Sequence, residues 1–125
     1  MPSLFEATSG AYLGYQTPTT EQQGAGLDEE VTANGQAVRI KTHVAAVAQN
    51  TSSTFILKNK LITDDTIVLA QAYPVDETTD SAAVIITSVT NVKSGQCSLT
   101  YTPKTGGLSK GVHINVILLK VQSKI

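Results

Sequence analysis

The chain has no tryptophan, one cysteine, two histidines and 15% charged residues, and each shortage excludes a class of chemistry. A single cysteine, Cys97, leaves no intramolecular disulfide. It alternates with Leu99 and Tyr101, as a small buried hydrophobe does in a strand, and no neighbouring histidine is at hand to make it a nucleophile. His43 and His113 stand seventy residues apart, whereas zinc sites gather three or four ligands. Aromatic residues make up 5% of the chain. Tyr73 and Tyr101 alone are a thin basis for the stacking platforms that bind sugars or single-stranded nucleic acid. No Gly-rich phosphate loop follows a strand, and neither a nucleophile elbow nor a metalloprotease helix is present. Asp64-Asp65 reads as a turn start. Asp76, Glu77 and Asp80 lack the spacing of a calcium loop and read as a solvated stretch. The expectation is a protein that is not an enzyme and holds no cofactor or metal.

Two further absences bear on location. No apolar run approaches the roughly 18 residues of a membrane helix. Met1-Pro2-Ser3-Leu4-Phe5-Glu6 lacks the basic start and apolar core of a secretory signal, so a soluble protein made in a cytoplasm is expected. Net charge is −1, which gives nucleic acid no long-range attraction. Charge is unevenly placed: residues 1–30 hold five acids and no base, while residues 31–125 hold nine bases and five acids, a balance of −5 against +4. Typical soluble domains carry about 25% charged residues. Here Thr, Ser, Asn and Gln take the place of charge, as suits a permanent assembly, an extracellular protein, or a Thr-rich β surface on a monomer.

What the chain does have is strands. Residues 54–59, 66–70, 83–89, 97–102 and 112–121 are β-rich runs punctuated by turn residues, with no helical period between them. Val38, Ile40, Thr42 and Val44 alternate with Arg39, Lys41 and His43, a half-buried strand with a basic outer face. Asn34-Gly35 predicts a two-residue turn, since both residues tolerate φ > 0, and Lys93-Ser94-Gly95-Gln96 predicts a hairpin. Phe55 and Leu57 share one face, Ile56 and Lys58 the other. Ile67-Val68-Leu69 is apolar on both faces, as in a central or interface strand. In the last strand Val112, Ile114, Val116 and Leu118 form one face. Ile117, Leu119 and Val121 make the other apolar too, after His113 and Asn115. A strand without a wet face needs cover from a second surface, so Ile117, Leu119 and Val121 are the expected subunit interface.

Residues 1–33 read as an extended arm. Gly10, Gly14, Gly24 and Gly26 recur, and Leu4, Phe5, Tyr12, Leu13 and Tyr15 follow no period. The arm is either a solvated tail or a segment whose apolar residues dock on a neighbouring chain. Residues 34–125 form the folded domain. Several short strands without helices imply an all-β, antiparallel β-sandwich, jelly-roll or Greek-key like.

Residues 54–62, 65–69, 95–101 and 111–118 together resemble a recurrent bacteriophage virion domain. In that family an apolar strand ends in Asn (here Asn59), a strand of the Thr66-Ile67-Val68-Leu69 kind follows, then a hairpin, then a strand with an Ile-Asn core (here Ile114-Asn115). Val116 stands where the family commonly has Phe. The resemblance covers about residues 50–121. It implies a homotrimeric β-sandwich on a phage head or tail, without enzyme activity, cofactor, nucleic acid or membrane. The short chain and the arm fit a capsid decoration, or cement, protein on the virion exterior, with itself and the major capsid protein as partners. Leu4, Phe5, Tyr12, Leu13 and Tyr15 are then the expected capsid contacts. The alternative is a receptor-binding or lectin-like tail-fibre or collar domain.

Overall fold

Strands with alternating apolar side chains bury one face only if a second layer covers it, and here that layer is a second sheet. The computed structural model describes residues 18–120, which contain eight strands and no helix. In chain order these are β1 (Thr19–Gln22), β2 (Val31–Thr32), β3 (Ala37–Lys41), β4 (Ser53–Lys58), β5 (Thr66–Pro74), β6 (Val84–Lys93), β7 (Gln96–Thr105) and β8 (Val112–Lys120). They form two four-stranded sheets, β1-β3-β8-β5 and β2-β4-β7-β6.

The two orders correspond position by position. β1 is followed in the chain by β2, β3 by β4, β5 by β6 and β7 by β8, and each partner occupies the same position in the opposite sheet. Three of these units run from the first sheet to the second, and β7–β8 alone runs back. That direction rule explains the pairing. β8 is antiparallel to both β3 and β5, and β7 to both β4 and β6. β1–β3 and β2–β4, whose units run the same way, are parallel. The sheets are therefore mixed, which corrects the expectation of a purely antiparallel fold.

Between the sheets lies one core. Val38, Ile40, Ile114, Val116 and Leu118 from the first sheet meet Phe55, Leu57, Cys97, Leu99 and Tyr101 from the second, all at most 4% exposed. Full burial of such side chains contributes about 1.5–3 kcal/mol each. A one-residue slip of β8 would turn its whole buried set outward, so the core fixes the register.

Several local expectations need correction. Residues 18–33, within the expected arm, include β1 and β2, and Gln23, Val31 and Ala33 are buried; residues 1–17 lie outside the described residues. Asn34-Gly35 lies where the chain turns between β2 and β3, and the turn is a corner between the two sheets. The strand at Val38 ends at Lys41, and Val44 is exposed. The reason is Thr42, whose hydroxyl accepts the Val112 amide at 2.9 Å while its own amide donates to the Val112 carbonyl. Its partner loop approaches so closely that a Cβ on Gly111, at φ 82°, would lie 2.6 Å from the Thr42 Oγ1. Beyond it, the His43 amide turns away to donate to the Gln23 Oε1. β5, apolar on both faces, is an edge strand rather than a central one. The hairpin at residues 93–96 forms as expected, with Lys93 facing Gln96 and Gly95 at φ 81°.

The two ends of the molecule are held differently. One end gathers the corners around Asn59, which is buried. Its Nδ2 donates to the Gly35 carbonyl at 2.7 Å, its Oδ1 accepts the Gly35 and Leu61 amides, and its own amide donates to the Gly95 carbonyl. The other end gathers the four loops that link the members of each unit. There the Ser109 amide and hydroxyl both donate to the buried Asp80 carboxylate, at 2.8 and 2.9 Å. Asp80 is thus a structural acceptor, contrary to the expected solvated acidic stretch.

Candidate functional site

Strand alternation places every second residue of β3, β5 and β8 on the outer face of the first sheet, where the register lines them up in rows. At the Asn59 end Ile67 stands opposite Leu119, and Leu69 opposite Ile117, which is itself opposite Ala37. Ile67, Leu69 and Ile117 are 45%, 51% and 42% exposed, and Leu119 is half-buried. Cross-strand neighbours of this kind have Cβ atoms about 4.5–5.5 Å apart, so the four side chains form a continuous apolar patch with no charge in it.

Moving toward the loop end, the same face becomes polar. Arg39, Asn115 and Gln71 form one row, and Lys41, His113 and Tyr73 the next. The Arg39 Nε donates to the Asn115 Oδ1 at 2.8 Å. The Tyr73 and His113 rings lie 5.1 Å apart, tilted by 35°. The His113 Nδ1 is buried and has no partner among the described residues. Burial lowers the His113 pKa, and the Lys41 and Arg39 cations lower it further, against a smaller opposing effect of Glu77. The neutral ring is favoured, and the face is half apolar and half cationic.

Of the expected interface residues, Ile117 and Leu119 lie side by side in the patch, while Val121 lies outside the described residues. The expected capsid contacts Leu4, Phe5, Tyr12, Leu13 and Tyr15 also lie outside them. Ile67 and Leu69 join the patch from a strand about fifty residues distant in sequence from Ile117 and Leu119, which the sequence signals only through apolar character on both faces of β5. A second exposed pair, Val84 and Ile86 at 56% and 53%, stands on the outer face of β6, the edge strand of the second sheet. Sequence reasoning missed it, because Val84-Ile85-Ile86 offers two apolar faces with nothing local to choose between them.

Little on these surfaces is reactive. Cys97 is fully buried, and burial pushes its thiol up to about 11. Among the described residues no three of His, Cys, Asp and Glu gather as a metal site. The outer face of the second sheet carries a ladder of hydroxyls, with Ser52 bonded to Thr102 at 2.7 Å and Thr54 to Thr100 at 2.8 Å. The geometry offers contact surfaces: one apolar, one cationic, one hydroxyl-lined. Comparison of the chain with protein-family models, curated proteins and solved structures finds no match.

Proposed function

We propose that this chain is a non-catalytic structural protein that self-associates through the apolar half of the first sheet's outer face. In line with the virion-domain resemblance, we read it as a homotrimeric decoration or cement protein on the capsid exterior, its two sheets forming a β-sandwich of the Greek-key or jelly-roll kind. The observation that carries the assembly reading is the contiguous set Ile67, Leu69, Ile117 and Leu119, contributed by two adjacent strands and left uncovered.

Magnitudes decide how such a protein holds on. Half-exposed side chains of this size contribute about 1 kcal/mol each on burial. Association costs about 4–15 kcal/mol in lost freedom. The patch alone is therefore weak, and stable assembly draws on further contacts made at once, such as Val84 and Ile86 and the capsid contacts proposed for Leu4, Phe5, Tyr12, Leu13 and Tyr15. Clamping of a capsid by a trimer works the same way, since each contact raises the effective concentration for the next.

Sedimentation of the full chain and of a Leu69→Lys/Ile117→Lys variant tests the assembly. Both substituted positions are exposed, so the variant folds. The wild type is expected to run as a trimer at micromolar concentration and the variant as a monomer. A monomeric wild type removes the assembly reading. Immunogold labelling of purified particles tests placement: label on the head supports a decoration protein, label on the tail favours the receptor-binding alternative, and unlabelled particles remove the virion reading.

A further inference from the structure

β2 is two residues long and covers only Leu57 and Lys58 of β4, which begins at Ser53. The Lys58 carbonyl accepts the Ala33 amide at 2.9 Å on the β2 side, and the Asn59 amide donates to Gly95 on the β7 side. Backbone groups alternate along a strand, so the even-numbered residues of β4 face the β2 side. Thr54 therefore turns its N–H and C=O toward a stretch of edge that no described residue pairs. Beside it lies an open cleft of about 300 Å³, lined by Leu27, Asp28, Ser52, Ser53 and Thr54. An unpaired edge next to a cleft is a template for an added strand.

We propose that this gap receives a short extended stretch from residues 1–17 of a second copy of the chain, the apolar residues outside that stretch being left for the proposed capsid contact. Those residues hold Leu4, Phe5, Tyr12, Leu13 and Tyr15 and a single charged side chain, Glu6, so a stretch without Glu6 brings no second carboxylate to Asp28 and can set an apolar side chain against Leu27. Reach is ample: a five-residue strand occupies about 17 Å, and seventeen residues span at most about 56 Å. The point of attachment selects the donor. Thr19 donates its hydroxyl to the Asn34 carbonyl, at the Asn59 end of the molecule, whereas the gap lies at the loop end of β4. To fill its own gap the segment would have to reverse at Pro18 and pass outside β2. A neighbour's segment meets no such obstacle. Strand exchange uses the β4 edge of the second sheet and is independent of the patch on the first.

The test uses full-length chains. Phe5→Cys, Tyr12→Cys, Leu13→Cys and Tyr15→Cys variants are each mixed with an isotopically heavy Thr54→Cys chain and oxidised, the buried Cys97 taking no part. A disulfide joining a light to a heavy chain is expected for at least one pair. In the unmodified protein the Thr54 amide is expected to exchange at least tenfold more slowly in concentrated than in dilute solution. No mixed disulfide, linkage only within one chain when both cysteines are placed together, or exchange at Thr54 that ignores concentration overturns the proposal. Repeating the mixing in an Ile117→Lys background separates the two interfaces. Cross-linking that persists supports the β4 edge as the contact, and cross-linking lost there assigns it to outer-face assembly and overturns strand exchange.

Discussion

Tyr101 and Asn59 are both fully buried and polar, and they have opposite effects on the fold. The Tyr101 hydroxyl lies near Thr42 and Ser53, yet no partner among the described residues meets hydrogen-bond geometry, and burial raises its pKa. Its ring contributes to stability while its hydroxyl is a burden. Tyr101→Phe is therefore expected to leave urea stability unchanged or raise it by up to about 1 kcal/mol. Asn59 satisfies three backbone groups of two turns with its side chain. Asn59→Ala orphans them and is expected to cost about 2–4 kcal/mol, since each unsatisfied buried group costs about 1–3 kcal/mol. A pair of urea titrations measures both, and equal effects would contradict the assignment. Cys97, with its thiol pushed up to about 11, is expected to resist thiol reagents at neutral pH until the chain unfolds.

At the scale of elements, the loops between strands behave as clasps. Asp80 accepts two hydrogen bonds from Ser109, and the Val75 amide donates to the Gly111 carbonyl, so residues 75–83 and 106–111 are tied at both ends. Asp80→Ala is expected to destabilise by about 1–3 kcal/mol and to speed hydrogen exchange at Ser109 before exchange rises in β8. Uniform acceleration throughout the molecule would show instead that the clasp is part of the global core. The alternation of β4, β7 and β8 made their buried faces legible in the sequence, because Leu99 and Ile114 have polar neighbours on both sides and Phe55, Leu57 and Val116 have one on one side. β1 and β2 were not legible: they are short, polar edge strands whose place is set by the register of β3 and β4. The mixed sheets were hidden for a related reason. Asn34-Gly35 has the chemistry of a tight turn, and nothing local distinguishes a turn within a sheet from a corner between sheets. The patch was half legible, Ile117 and Leu119 from the excess of apolar residues in β8, while Ile67 and Leu69 required knowing that β5 pairs with it.

At the scale of the whole molecule, His113 makes stability depend on pH. Its pKa is lowered by burial first and by Lys41 and Arg39 next, so the folded protein binds this proton less readily than the unfolded chain, which takes it up near pH 6.5. The contribution is fully present above that value and is lost as pH falls through it toward the folded pKa. The urea midpoint is expected to drop between pH 7 and pH 5, and His113→Gln is expected to flatten that drop. A slope unchanged in the variant would place the titrating group elsewhere.

The position-by-position sheets also set a timetable for synthesis. β8 lies between β3 and β5, and β7 between β4 and β6, so the last two of the eight described strands occupy the centres of the two layers. The second layer cannot close until β7 is made, nor the first until β8 is made, so six strands wait without their central partners. A chain cut before β8 is therefore expected to hold the four strands of the second sheet with their apolar inner face uncovered, a state prone to aggregation.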